Sequence, residues 1–205
     1  GGGFWPVVED CRKDSSFPFE RHRIKVYDHG FTWPWDPWTS GTRTKLRDAI
    51  GGYLHKQKRK YPMLKQLNVI AHSFGSWGIC EYLKHCESGE MSVDNLILLG
   101  SVVNRDYPWD HLINEQHMVD RVINLAGRYD VVPALGPLVH LGNSGFYGTE
   151  LWSDEWGFHS NASGFEQDVM NGGHSWYRSK DGRSFMRKFL HNICSEVEKP
   201  ALTDV

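Results

Sequence analysis

A serine hydroxyl attacks a carbonyl only if something takes its proton and something holds the negative charge that forms. One stretch of this chain, Gln66 to Gly78, reading Q-L-N-V-I-A-H-S-F-G-S-W-G, has the residue types for both. Leu67, Val69, Ile70 and Ala71 make a short apolar run that suits a strand buried on both faces of a parallel sheet. Ile79, Leu83 and Cys86 then recur at helical spacing, so Ser73 falls where a strand turns sharply into a helix. Ala71 and Gly75 on either side let strand and helix approach closely and tolerate a strained backbone. Such a turn lifts the hydroxyl to the top of the sheet. It also aims the first helical N–H, that of Phe74, at negative charge developing beside Ser73. The bland alternative for a serine at this place is a helix N-cap.

The stretch resembles the nucleophile elbow of the α/β-hydrolase superfamily, G-x-S-x-G, with Ala71 in place of the first glycine. Two later stretches are similar to that family's other loops. Gly127-Arg128-Tyr129-Asp130-Val131-Val132-Pro133, after the apolar run Val122 to Ala126, resembles its acid loop, and Asn171-Gly172-Gly173-His174-Ser175-Trp176 resembles its histidine loop. The order Ser, Asp, His along the chain is the one the superfamily uses. Ser73 and Asp130 lie 57 residues apart and Asp130 and His174 lie 44 apart, room for strand and helix units between them.

The resemblance implies an α/β fold: a three-layer α/β/α sandwich on a mostly parallel sheet, in compact form without a full cap domain. Residues 1–205 are expected to form one domain. Whether its first strand or strands lie upstream of Gly1 stays open, because Gly1-Gly2-Gly3 reads either as an expression remnant or as a glycine-rich loop cut from a preceding strand. The implied activity is that of a serine carboxylic-ester hydrolase, an esterase or lipase-like enzyme acting on a small-molecule or lipid-like ester. Ser73 would carry the acyl group, His174 would act as base, and Asp130 would orient the imidazole. An acyltransferase with the same triad, and a non-catalytic binding module of hydrolase shape, are the competing expectations.

One oxyanion donor is expected from the backbone of Phe74, and the second is open between Phe31 and Phe4. His29-Gly30 at the end of a strand over Arg23 to Tyr27 would make Phe31 the donor. Alternatively Arg23 to Trp33 is the following strand, and the helix read over Phe4 to Cys11 follows a glycine-rich oxyanion loop, which puts Phe4 near the donor. The second arrangement suits the surrounding segment better.

Trp33, Trp35 and Trp38, interrupted by Pro34 and Pro37, form a stiff aromatic loop. With Trp109 they are candidates for substrate contact, against the reading of a loop packing on its own rings. A long helix starts at Thr42 or Thr44 with Leu46, Ala49, Ile50, Tyr53 and Leu54 on one face. Its Gly51 and Gly52 are expected to serve close packing on the sheet. Its basic end, His55 to Lys60, reads as a solvated helix terminus. Val93 to Val103 contains a continuous apolar strand, Leu135 to Gly148 reads as glycine-rich loop, and Phe165 to Met170 as a weak strand delivering His174. Phe185 to Val197 is an amphipathic helix expected to cover one sheet face.

Composition narrows the classes. A net charge of −2 gives no reason to expect nucleic acid as a partner. No apolar run reaches the length of a membrane span and the chain does not begin as a signal peptide does, so a cytoplasmic location is expected. Cys11, Cys80, Cys86 and Cys194 form no C-x-x-C pair and read as buried free thiols. The eleven histidines make no zinc-type cluster, and neither metal nor cofactor is expected. His72 should leave the strand on the side opposite Ser73 and reads as packing. His140 and His159 are the runners-up to His174, and Asp154 and Asp28 to Asp130. Oligomeric state is left open.

Overall fold

In the computed structural model of the protein, residues 4–17, 40–63, 66–133 and 162–196 are described, together with 142, 144, 145, 157, 158 and 160. They fall into two compact units, one drawn from residues 32–174 and one from 1–31 with 175–205. In chain order the main elements are α1 (Trp5–Lys13), α2 (Ser40–Lys60), β1 (Asn68–His72), α3 (Phe74–His85), β2 (Val93–Leu99), β3 (Val119–Gly127), β4 (Phe165–Met170) and α4 (Lys180–Glu196).

Among the described residues, the larger unit has a four-stranded sheet in the order β1-β2-β3-β4, every neighbouring pair parallel. With helices α2 and α3 in the same unit this is an α/β arrangement. Parallel neighbours require a crossover, and α3 supplies the one between β1 and β2. A short π-helical turn, His111–Glu115, lies between β2 and β3. The two inner strands carry the apolar residues. Leu96 to Leu99 of β2, and Val122, Leu125 and Ala126 of β3, are shut off from solvent almost completely. Strand β1 is less enclosed than its composition suggests. Asn68 to Ile70 are half-buried and only Ala71 is buried, because among the described strands β1 lies at the end of the sheet. The polar side chains at this end find partners: Asn95 Nδ2 donates to Asn68 Oδ1 at 2.8 Å, and the main-chain Leu67 N–H donates to Asp94 Oδ2 at 2.6 Å. At the other end, the Arg121 guanidinium grips the Glu166 carboxylate of β4 with two bonds of 2.8 and 2.9 Å.

Helix α2 buries Leu46, Ile50 and Leu54, one turn apart, and packs on α3. Two glycines set how closely they meet. A Cβ on Gly78 would fall 2.7 Å from Ile50 Cδ1, and one on Gly51 would fall 2.5 Å from the Tyr82 ring. Gly51 therefore makes room for an aromatic side chain of α3, and a Cβ on Gly52 would meet nothing within 4 Å. The expectation that both glycines pack on the sheet is corrected on this point. The basic end of α2 is partly engaged, since Lys58 Nζ donates to the Glu90 carbonyl at 3.0 Å and His55 pairs with the Glu90 carboxylate at 3.1 Å.

In the smaller unit α1 packs on α4. Pro6 stands in the first turn of α1, where its missing N–H costs nothing. Val7, Val8 and Cys11 are buried on one side of α1, and Met186, Leu190, Ile193 and Cys194 on one side of α4. Ion pairs Arg183–Asp10 (3.1 Å) and Arg187–Asp14 (3.6 Å) tie the two helices at their rims. Among the described residues no helix is long and apolar enough to cross a membrane.

Candidate active site

Ser73 is the single residue between β1 and α3, and its backbone is strained, with φ 55° and ψ −128°. Residues with a Cβ avoid this region at a cost of about 1–3 kcal/mol, so neighbouring bonds must hold it there. The Ser73 N–H donates to the Leu99 carbonyl at 3.0 Å, carrying the β1–β2 pairing one residue further. Its carbonyl accepts from the Ser76 N–H at 2.9 Å and from Ser76 Oγ at 2.5 Å, and Ser76 Oγ accepts from the Val102 N–H at 3.2 Å. The backbone of Ser73 is thus pinned on both sides to β2 and the chain just after it. Although Ser73 occupies the N-cap position of α3, its side chain makes no capping hydrogen bond. The N-cap alternative therefore does not account for this hydroxyl.

Asp130 and His174 meet at the same edge of the sheet. Asp130 follows the carboxyl end of β3 and is 1% exposed. His174 Nδ1 lies 2.9 Å from Asp130 Oδ2 and 3.0 Å from Oδ1, and the Val132 N–H donates to Oδ1 at 3.1 Å. An ionised carboxylate can only accept, so His174 donates from Nδ1 and its Nε2 is left to accept a proton. The loops that carry the pair are stapled by main-chain bonds. Arg128 N–H donates to the Met170 carbonyl at 2.8 Å, and Tyr129 N–H to the Gly172 carbonyl at 3.0 Å.

Close approach explains two glycines here. Gly100, which follows β2, has φ 52°, and a Cβ on it would fall 2.7 Å from Asp130 Oδ2 and 3.0 Å from His174 Nδ1. Gly127, which ends β3, would place a Cβ 2.8 Å from both Asp130 Cβ and the Gly172 carbonyl oxygen. Ser73, Gly100, Asp130 and His174 thus follow the carboxyl ends of β1, β2, β3 and β4 in turn, the edge where open parallel sheets bind ligands.

His72 sits differently from its expected packing role. Its Nε2 lies 2.8 Å from the His174 carbonyl oxygen, and the two imidazole rings are 4.5 Å apart between centroids at 45°. Nothing local in A-H-S-F-G announces this, because the partner comes from a loop 102 residues away.

Trp109, expected at the substrate, is instead fully buried, its ring packed among Tyr107, Phe158 and Phe165. It presents no face to a ligand. Phe74 opens α3, largely buried, with its ring stacked on Trp77 at 5.4 Å. Phe4 belongs to the smaller unit, where its ring meets Tyr177 at 5.7 Å. Phe31, Trp33, Trp35 and Trp38, and the alternatives Asp28, His140, Asp154 and His159, lie outside the described residues. The four cysteines are free and buried. Among the described residues no group of three histidine, cysteine or acidic side chains is placed to hold a metal ion.

No protein-family model matches the chain, and no curated protein matches it. Among solved structures it is similar to the crystal structure of the product of gene lin2722 from Listeria innocua, with 15% sequence identity and a TM-score of 0.44. The similarity covers 72% of this chain and 66% of that one, so the chain spans just under two thirds of that protein's length.

Proposed function

We propose that this chain is a serine carboxylic-ester hydrolase of the α/β-hydrolase type, with Ser73, Asp130 and His174 as its catalytic set. The observation that carries the reading is the hydrogen-bonded pair of buried Asp130 and half-buried His174 at the same sheet edge as a strained serine whose hydroxyl caps nothing. His174 Nε2 takes the Ser73 proton as the oxygen attacks the ester carbonyl, and Asp130 keeps the imidazole in the productive tautomer and stabilises the imidazolium. The Phe74 N–H at the start of α3 donates to the oxyanion, a role worth about 3–4 kcal/mol for one such donor. The imidazolium then protonates the leaving alcohol, and water releases the acyl group by the same steps in reverse.

Tyr129, Val131 and Val132 flank the buried Asp130 with 66%, 64% and 40% of their surface exposed. This apolar rim supports an apolar group on the ester rather than a charged one. A fluorophosphonate probe should label wild-type protein at Ser73 and leave Ser73→Ala unlabelled. Wild-type protein should hydrolyse p-nitrophenyl esters and Ser73→Ala should not. Folded protein that neither labels nor hydrolyses would favour a binding module. An acyltransferase would show itself by moving the acyl group to an added alcohol in preference to water.

A further inference from the structure

The described structure gives His174 two kinds of support, and the catalytic reading uses one of them. Asp130 fixes the ring from the β3 side. On the β1 side, His72 Nε2 reaches the His174 main-chain oxygen at 2.8 Å. A carbonyl can only accept, so this bond requires the proton of His72 to be on Nε2. His72 is also joined covalently to Ser73, so the bond is a direct tie between the histidine loop and the elbow itself. His174 is the last residue of the larger unit. Its carbonyl is therefore where the chain leaves the loop held by the Tyr129–Gly172 and Arg128–Met170 bonds. The rings add a second restraint, since they are in contact, 4.5 Å apart between centroids and tilted by 45°, which limits the rotation of His174.

Resting on the reading of Ser73, Asp130 and His174 as a catalytic set, we infer that His72 is a positioning residue, which holds the His174 backbone and ring in register with the neighbouring serine. The physical reason is the steep dependence of proton transfer on geometry. A displacement of about 1 Å at a reacting group can cost about 100-fold in rate, and loss of an outer hydrogen-bond partner that orients an imidazole, where it has been measured at metal sites, costs about 10- to 100-fold. A proton on Nε2 is what satisfies the carbonyl.

The test compares two substitutions in the full chain. His72→Phe keeps a planar ring and removes the donor, whereas His72→Gln restores an N–H at similar reach. With a p-nitrophenyl ester, His72→Phe should lower kcat by about 10- to 100-fold and leave KM within about twofold of wild type, and His72→Gln should recover most of the loss. Circular dichroism establishes that both variants are folded. A His72→Phe variant with wild-type kcat, or a His72→Gln variant as impaired as His72→Phe, would overturn the inference.

Proton NMR makes a second readout that needs no turnover. The Nδ1–H of His174, held against Asp130, should give a far-downfield resonance that is lost or broadened in His72→Phe and retained in His72→Gln. An unchanged resonance in His72→Phe would equally overturn the positioning role. Failure of the hydrolase reading is seen separately, as absence of fluorophosphonate labelling in the wild type, and the resonance then still decides about His72.

Discussion

Helix α3 has a residue with a potential nucleophile at each end, Ser73 at its N-cap and Cys86 at its C-cap. Both stand near a histidine and a carboxylate. At the C-terminal end Cys86 Sγ donates to Glu90 Oε2 at 3.2 Å and lies 3.5 Å from the Tyr82 hydroxyl, and Tyr82 and His55 share a hydrogen bond of 2.9 Å. At the N-terminal end lie Asp130, His174 and His72. The backbone makes the difference. The N-terminus of a helix favours negative charge and its C-terminus disfavours it, so an anion on Ser73 is helped where a thiolate on Cys86 is opposed. Burial raises the Cys86 thiol above its ordinary 9.0 and the Tyr82 phenol above its ordinary 10.0, keeping both protonated. Enclosure differs as well. The carboxylate is 1% exposed at Asp130 and 46% exposed at Glu90. On the proposed reading, similar side chains serve chemistry at one end of the helix and packing at the other.

The largest expected effect breaks the N-terminal end outright. Ser73→Ala should lower ester hydrolysis by about 10,000-fold or more, measured from initial rates, while the urea midpoint stays near that of the wild type because alanine keeps the same backbone strain. Asp130→Asn should lower kcat by about 1,000- to 10,000-fold, because an amide can donate to His174 Nδ1 and so favours the wrong tautomer. An Asp130→Asn enzyme with near-normal kcat would remove the distinction between the two ends.

Gly100→Ala sharpens the comparison with a residue that does no chemistry. Its methyl group would press on Asp130 Oδ2 and His174 Nδ1 from a backbone at positive φ. A loss of about 10- to 100-fold in kcat is expected, with a lower melting temperature. Gly51→Ala makes the matching perturbation on the α2–α3 side. The new methyl must displace the Tyr82 ring, for a loss of about 1–3 kcal/mol in urea unfolding that outweighs the gain in helix propensity of about 1 kcal/mol. Its specific activity should stay within about twofold of wild type at temperatures where it is folded.

The smallest effect appears only in alkali. Groups whose folded pKa is raised by burial contribute stability that is complete below their unfolded values and is lost as pH rises through the folded ones. The urea midpoint should therefore begin to decline near pH 9 and continue downward as Cys86 and then Tyr82 are driven to ionise. The decline should be shallower in Cys86→Ala. In the native protein iodoacetamide should alkylate Cys86 slowly at pH 8, under conditions where Ser73 labels readily with a fluorophosphonate.

The elements were legible where the pattern is local. The apolar run before Ser73 became β1, the small residues Ala71 and Gly75 marked the turn, and the weak strand read over Phe165 to Met170 became β4. The long helix begins at Ser40 where Thr42 or Thr44 was expected, since helix ends are set by backbone bonds that periodicity does not record. Partners across the fold were not legible. Trp109 reads as a loop aromatic and lies in the core, Gly51 reads as a sheet contact and faces Tyr82, and Gly100 carries no signature at all.

The sequence by itself determined that a serine would stand between a strand and a helix, and which two glycine-flanked loops could bring an acid and an imidazole. Hydrophobic period and residue size act over neighbouring residues and are written along the chain. Strand order and register decided the rest: that the loops after β3 and β4 lie side by side, that Gly100 has no room for a Cβ beside Asp130 and His174, and that His72 turns toward a carbonyl 102 residues away. Such contacts join residues distant in sequence, and they come into existence only when the sheet assembles.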